Sequence, residues 1–457
     1  MERTIVDPPL TRQGASSNEA ATIVAPASGA GPAAVAVIRI SGPATRAVLE
    51  ALTGGVPAPR HAALRDIGLD KGPPIDRGLV LWFPAPRSFT GEDMAELQVH
   101  GSRAVVGAIV EAVLAVEGTC LAAPGAFARR AFDNGKLDLT EVEGLADLIA
   151  AETEAQRRQA LAQAEGSLRR LYEGWRAELV NAQALMEAGL DFADEADVAA
   201  DVSGKANAIV APLLTSIAAH LADRSGERLR DGLRVVIAGP PNAGKSSLMN
   251  ALAKRDVAIV SEEAGTTRDV IEVHLDLGGL PVILADTAGI RAGIGQVESE
   301  GIRRALARAE EADLVLWVID ATNPIWEPPT SLASKRIQYA LNKCDLDRPP
   351  AHNPAIKTPL FLSAKTGAGL DGLILCLADL AAAEIAGVGE APLTRTRHRA
   401  ELVSSRDALK RFVNHDLIPE LKAEELRIAA RHLGRLTGLI DVEEVLGAIF
   451  AEFCIGK

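Results

Sequence analysis

At 457 residues the chain is too long for one hydrophobic core, so roughly two to four domains are expected. An apolar share of 48% against 24% charged residues excludes a disordered chain. The net charge of −13 excludes broad, non-specific adhesion to nucleic acid or anionic membrane, leaving any RNA contact to a local basic surface or a partner.

The first twenty residues are polar and proline-bearing and read as a loose lead-in. With Glu2 and Asp7 there and no apolar run, no signal peptide is expected. From 21 to about 132 the texture is short and mixed: runs 33–40 and 78–83 read as strands, with turn signals at Thr90-Gly91 and Pro124-Gly125. An α+β domain over 1–134 is the expectation.

After Gly135 the period changes. Val142, Leu145 and Leu148, then Leu168, Leu171, Trp175 and Leu179, recur at helical steps, predicting a helical region over 135–227. The same period returns over 383–457, with Leu409, Phe412, Leu433, Leu436, Ile449, Phe450 and Phe453. Between them, apolar runs at 233–238, 280–285, 314–319 and 337–341 alternate with helical patterns such as 300–309. That alternation predicts a mostly parallel sheet covered on both faces, an α/β domain over 228–382 inserted into a discontinuous all-α domain. The most apolar long stretch, 372–389, is broken by Asp379 and Glu384, so no membrane span is expected. Cys120, Cys344, Cys376 and Cys454 show neither a CxxC pair nor zinc spacing and read as free thiols in a reducing, cytoplasmic setting.

The inserted domain carries the chemistry. Gly239-Pro-Pro-Asn-Ala-Gly244-Lys245-Ser246 follows a predicted strand and opens a predicted helix, the context a P-loop demands. Its glycines let backbone N–H groups curl round phosphates at a helix N-terminus, Lys245 brings a cation, and Ser246 offers a hydroxyl to Mg²⁺. Asp286-Thr-Ala-Gly289 ends the next strand, where a carboxylate can hold the metal through water and the Gly289 N–H can meet the γ-phosphate. Asn342-Lys-Cys-Asp345 ends another; its Asp can accept from the N1–H and amine of guanine, donors that adenine lacks, and Ser363-Ala-Lys365 supplies a further wall. Gly265-Thr-Thr-Arg-Asp269 lies where a first switch would hold Mg²⁺ through a threonine. The glutamine that small GTPases commonly place after the Asp-Thr-Ala-Gly glycine is here Ile290, which cannot polarise water. A catalytic group must come from 291–300 or from a partner.

These residues resemble one family closely, the MnmE (TrmE) tRNA-modification GTPases. The likeness runs from Thr22 onward through Arg39-Ile-Ser-Gly42, Phe89-Thr-Gly-Glu-Asp93, Glu96-Leu, His100-Gly101, Pro124-Gly-Ala-Phe127, Arg130 to Lys136, Asp191-Phe with Glu195, and the terminal Cys454-Ile-Gly-Lys457. The resemblance implies three parts: an α+β N-terminal domain that dimerises and binds a tetrahydrofolate, a discontinuous helical domain, and an inserted Ras-like G domain. It implies a homodimer acting with the FAD-dependent protein MnmG (GidA), as a heterotetramer, on the wobble uridine of certain tRNAs. Folate contacts, to 5-formyl- or methylene-tetrahydrofolate, would fall on Arg39, Glu96, Lys136 and Lys457; taken singly, without the resemblance, these residues read better as surface ion pairs. Nucleotide contacts would come from Asn242, Ala243, Gly244, Lys245, Ser246 and Ser247, and from Ser261, Glu262, Glu263, Ala264, Gly265, Thr266 and Thr267. Asp286, Thr287, Ala288, Gly289, Asn342, Lys343, Asp345, Ser363, Ala364 and Lys365 would complete them. Mg²⁺ would take Ser246 and Thr267, and K⁺, in place of an arginine finger, Asn242, Ser261, Glu263 and Thr266. The catalytic glutamate would be Glu298, which on pattern alone reads as a helix N-terminal acid.

Ser102 and the 27–32 loop depart from the family pattern. Cys454 is read either as a nucleophile or as a small buried thiol. The basic runs Arg395, Arg397, His398, Arg399 and Arg431, His432, Arg435 are expected to be solvated helix faces. A second function class, a ribosome-assembly or translation GTPase that scaffolds RNA, would call for a compact basic module that the sequence does not show.

Overall fold

The computed structural model describes residues 21–29, 31–69, 72–191, 196–259, 272–286, 312–332, 334–346, 356, 358–385, 389–413, 417–440, 446–447, 449–450, 453 and 456. Contacts divide the chain into two compact units, Met1–Ala146 with Gly438–Lys457, and Asp147–Thr437.

The first unit is built on a six-stranded sheet of β1 (Thr22–Pro26), β2 (Ala33–Ser41), β3 (Ala63–Ile67), β4 (Asp76–Phe83), β5 (Met94–Gly101) and β6 (Thr119–Leu121), in the order β3-β4-β5-β2-β1-β6. Neighbours are antiparallel except β1 with β6. The period of two decides what each face does. Ala36, Ile38 and Ile40 of β2, with Val80 and Leu97, pack against Val48 and Leu49 of helix Thr45–Thr53 and Ile109 and Val113 of helix Arg103–Leu114. On the other face Phe127, from helix Ala126–Asp133, packs on Ile23 and Ala25 of β1, while Leu64 and its cross-strand neighbour Leu79 are exposed.

By contacts the C-terminal segment groups with the first unit: Leu446, Ile449, Phe450 and Phe453 pack on Ala128, Leu139 and Val142. The physical reason is the burial of two phenylalanines and their aliphatic neighbours, each worth roughly 1.5–3 kcal/mol, which is ample to fix a short segment. Helical periodicity announces an apolar face but not its partner.

In the second unit helices Glu154–Ala164, Ser167–Asp191, Ala196–Ala222, Thr396–Val413 and Pro419–Thr437 form the all-α part. Its core holds Leu168, Trp175, Leu213, Ile217, Leu402, Phe412, Leu426 and Leu433. His220 stacks edge-on against Trp175 and Tyr172 there, and burial pushes its imidazole down to about 4, so it stays neutral in the core. Among the described residues one helical stretch, Val202–Asp231, is long and apolar enough to cross a membrane by length and composition; its Ala206, Val210, Leu213, Ile217 and Leu221 belong to this core.

The inserted α/β part is a seven-stranded sheet of β7 (Leu233–Ala238), β8 (Ala258–Ile259), β9 (Glu272–Leu277), β10 (Leu280–Asp286), β11 (Leu314–Asp320), β12 (Ile337–Asn342) and β13 (Leu360–Phe361). Its order is β13-β12-β11-β7-β10-β9-β8, parallel from β13 to β10 and antiparallel beyond. Apolar side chains fill both faces: Val235 and Leu316 meet helices Lys245–Ala253 and Leu370–Ile385, and Val236, Trp317 and Leu341 form the opposite cluster. The β9–β10 hairpin meets the helical part directly. Gly279 O accepts from Ala155 N at 3.2 Å, and His274 Nδ1 lies 2.7 Å from Glu152 Oε2. This joint adjoins a capping box, in which Thr153 and Gln156 satisfy each other's backbone at the start of helix Glu154–Ala164.

Candidate functional site

The carboxyl ends of β7, β10, β11 and β12 lie along one edge of the parallel sheet, the edge at which open α/β sheets take ligands. β7 runs into the P-loop, and helix Lys245–Ala253 begins at once after Gly244. Lys245 Nζ donates to the carbonyls of Gly239 and Pro240, both at 2.9 Å, which folds the ammonium back over the loop. Asn242 sits at φ +61°, a left-handed position that asparagine tolerates better than most residues. Ser246 and Ser247 are exposed on the first helical turn, and Ala243 is buried.

Asn342 joins the two halves of this edge. It is 2% exposed; its Nδ2 donates to Ala243 O and its Oδ1 accepts from Ala364 N, each at 2.9 Å. Gly244, at φ +92°, makes room for that side chain, since a Cβ there would stand 2.2 Å from Asn342 Nδ2. One amide therefore ties the phosphate loop to the Ser363-Ala-Lys365 loop. This bracing role was not read from the sequence, because its partners lie far from Asn342 along the chain.

Beside it, Ser363 Oγ donates to Asp345 Oδ1 at 2.7 Å and accepts from Thr366 N at 3.2 Å. That hydroxyl, with Lys365 adding a favourable charge, holds the Asp345 carboxyl below the usual carboxylate range. Asp345 is therefore an ionised, oriented acceptor. Cys344 is half-buried among Trp317, Tyr339 and Leu341, and burial pushes its thiol up. Asp286 closes β10 in register with Ile237. Ser261, Glu262, Glu263, Ala264, Gly265, Thr266, Thr267, Thr287, Ala288, Gly289 and Glu298 lie outside the described residues, as do Cys454 and Lys457.

The first unit brings together two of its predicted site residues on paired strands. Arg39 of β2 stands opposite Glu96 of β5, with Arg39 Nε and Nη2 donating to Glu96 Oε1 at 3.2 and 3.0 Å, and both are about four-fifths buried. The Arg39 guanidinium faces the rings of Phe89 at 5.5 Å and Phe127 at 5.8 Å. The loop 89–93 is pinned by Glu92, which accepts from Ser41 Oγ at 2.9 Å and Arg130 Nη1 at 2.8 Å. Lys136 is exposed and passes over Gly91 in the same loop. The tail reaches this region too. Gly456, at φ +99°, lies so close to β1 that a Cβ would come within 1.9 Å of Pro26 O, and Ala25, the residue before Pro26, pairs with Arg39.

The first basic run is not the solvated face expected. Arg395 bonds to Asp147 at 2.7 Å, and Arg399 to Glu227 and to the carbonyls of Leu221 and Asp223. Arg397 donates to the carbonyls of Arg435 and Leu436, and His398 is fully buried. These cations serve as internal ties because carbonyls and carboxylates of neighbouring helices meet them. In the second run His432 lies 2.6 Å from Glu401, while Arg431 is exposed. Among the described residues no cluster of His, Cys, Asp and Glu has the makings of a metal site, and Cys120, Cys344 and Cys376 form no disulfide.

Known families match both units. The description "GTP-binding protein TrmE N-terminus" matches residues 22–136, and "MnmE helical domain" matches residues 139–454. The chain belongs to the MnmE family of tRNA modification GTPases. The tRNA modification GTPase MnmE of Rhizobium johnstonii (strain DSM 114642 / LMG 32736 / 3841) is 50% identical over 438 residues, covering 95% of this chain and 99% of its own length. That of Parvibaculum lavamentivorans (strain DS-1 / DSM 13023 / NCIMB 13966) is 52% identical over 443 residues, covering 95% and 100%. Among solved structures, the G domain of the T. maritima FeoB iron transporter is similar at 26% identity over 32% of this chain and 98% of that one, with a TM-score of 0.24. As a member of the MnmE family, the chain binds GTP and is a tRNA modification GTPase.

Proposed function

We propose that this chain is the GTP-hydrolysing half of a wobble-uridine modification complex in the cytoplasm. As a homodimer it works with the FAD-dependent MnmG (GidA) protein, in a heterotetramer, to attach an aminomethyl or carboxymethylaminomethyl group at carbon 5 of uridine in tRNA. The observation that carries this reading beyond nucleotide hydrolysis is the seating of the tail. Gly456 lies against Pro26 of β1, the strand that pairs with the one carrying Arg39. The residues predicted for this site fit a reduced folate. Arg39, Lys136 and Lys457 suit its carboxylates, Glu96 suits the donor edge of the pterin, and the rings of Phe89 and Phe127 suit its flat body. A tetrahydrofolate held there would supply a one-carbon unit. Exposed Leu64 and Leu79 on the uncovered part of the sheet support the homodimer.

In the nucleotide pocket, Asp345 accepts from the guanine edge, with Ser363, Ala364 and Lys365 closing over the base. Backbone N–H groups of Asn242, Ala243, Gly244 and Ser247, with Lys245, hold the phosphates. Ser246 and Thr267 are hard oxygen donors suited to Mg²⁺, whose charge would be shared with the phosphates. Asn242, Ser261, Glu263 and Thr266 offer amide, hydroxyl and carbonyl oxygens for K⁺, which would neutralise charge beside the β- and γ-phosphates. Glu262, Ala264, Gly265, Thr287, Ala288 and Gly289 complete the lining, and Glu298 orients the attacking water. An RNA-scaffold role has less support, since among the described residues the first basic run is spent on internal ties.

Mass spectrometry of nucleosides from total tRNA tests this reading. In a strain lacking the gene, the modified wobble uridine should vanish and return on complementation. Unchanged uridine modification would refute it.

A further inference from the structure

Lys343 occupies a left-handed backbone position, φ +66°, directly after β12, which a side-chain-bearing residue holds only when its surroundings fix it. Its ammonium lies 2.5 Å from Asp320 Oδ2, and Asp320 closes β11 directly opposite Asn342. The carboxylate has its oxygens divided. Oδ1 accepts from Thr322 N at 2.9 Å and Thr322 Oγ1 at 2.6 Å, leaving Oδ2 to Lys343. Ala321 N donates to Asn342 O at 2.9 Å, which locks the two strand ends in step. The Asp320 side chain is only 17% exposed. Burial pushes its carboxyl up, yet the Lys343 ammonium and Thr322 hydroxyl outweigh this and hold it below the ordinary range.

A surface ion pair would not need this arrangement. Two long-chain ends free in solvent gain little from meeting, because both lose rotamer freedom. Here the carboxylate is already fixed by its own turn, so only the lysine has to be held. Lys343 lies between the bracing Asn342 and the base-recognising Asp345, and its four methylenes run from that loop to the β11 end.

The geometry points to Asp320, oriented by Thr322, as a positioning residue for the purine site: it holds the Lys343 stem in place before nucleotide arrives, as a ready apolar wall for the flat of the base. Pre-ordering of this kind acts on affinity and residence time rather than on the chemical step. The inference rests on the reading of 342–345 as the base-recognising loop.

The test uses the full-length protein, a fluorescent N-methylanthraniloyl GDP and steady-state GTP hydrolysis. Asp320→Asn should release GDP about tenfold faster and raise KM for GTP about tenfold, equivalent to about 1.4 kcal/mol, while kcat stays within about twofold. In a Lys343→Met background the same change should add less than about twofold, because its partner is gone. Wild-type release by Asp320→Asn, a full tenfold effect in the Lys343→Met background, or a fall in kcat at constant KM would each overturn the assignment. Should Asp320→Asn fail to fold, Thr322→Val carries the test: about threefold faster release is expected from one lost hydrogen bond, and wild-type release overturns the assignment. Competition of GTP and ATP for the wild-type protein separates the two layers. Equal competition sinks the base-loop reading itself, whereas guanine preference with an unaltered Asp320→Asn variant sinks only the role of Asp320.

Discussion

At the sheet edge proposed as the purine end of the nucleotide pocket, the ends of four parallel strands are bonded to one another: Asn342 to Ala243 and Ala364, Ser363 to Asp345, and Asp320 to Lys343. At the N-terminal site, Arg39 and Glu96 meet across paired strands, Lys136 arrives on a separate loop, and the tail comes from the far end of the chain to lie on Pro26. The first is complete within a stretch of sheet edge and stored in hydrogen bonds that exist before any ligand. The second is complete only when a distant segment has docked. Substitutions in the purine pocket should therefore alter affinity and base choice directly, whereas the N-terminal site should be sensitive to residues that never touch its ligand but seat the tail.

The largest effect is expected where the pocket's own bonding ends. Glu298, the proposed catalytic group, lies outside the described residues. A water-orienting carboxylate is typically worth about 10²–10⁴-fold in rate, so Glu298→Ala should slow GTP hydrolysis by at least about tenfold with GTP affinity almost unchanged. Wild-type turnover by that variant, or loss of turnover through loss of binding, would assign the role elsewhere.

The tail offers the converse. A Cβ on Gly456 cannot be accommodated beside Pro26, so Gly456→Ala should unseat the last residues and weaken 5-formyl-tetrahydrofolate binding by about tenfold, the value of one charge-assisted hydrogen bond. Calorimetry on the full-length variant checks this, and GTP affinity should not move. Unchanged folate affinity would separate the tail from the site and erase the contrast between the two regions.

A smaller effect tests the phosphate end. Replacing K⁺ by Na⁺ at matched ionic strength should slow hydrolysis severalfold, and Asn242→Ala should abolish the difference. Equal rates in the two salts for the wild-type protein would remove the cation from the pocket.

The same contrast explains what could be read from the sequence. The P-loop, Asn342-Lys-Cys-Asp345 and Ser363-Ala-Lys365 were legible because each is contiguous and its chemistry is carried by neighbouring backbone and side chains. The strands 233–238 and 314–319 were legible because burial on both faces makes them continuous apolar runs. Asn342 as a brace, and Asp320 as the partner of Lys343, were not, because a hydrogen bond across strand ends leaves no local pattern. The docking of Phe450 and Phe453 on Leu139 and Val142 was hidden for a similar reason: a period of 3.6 predicts a helix face and is silent on what covers it. Arg395, Arg397 and Arg399 read as a solvated run because charge spacing cannot show the carbonyls and carboxylates waiting on other helices.

The proposed coupling of base recognition at Asp345 to wobble-uridine modification is tested by reconstituting the full-length protein with the proposed FAD-dependent partner, a reduced folate and unmodified tRNA, and reading the uridine by mass spectrometry. With Asp345 as the proposed acceptor of the guanine edge, Asp345→Asn should bind GTP poorly and accept xanthosine triphosphate. Wild-type protein should then modify tRNA with GTP and not with xanthosine triphosphate, and the Asp345→Asn variant should do the reverse. Modification that proceeds equally with either nucleotide, or with none, in both proteins would contradict the claim.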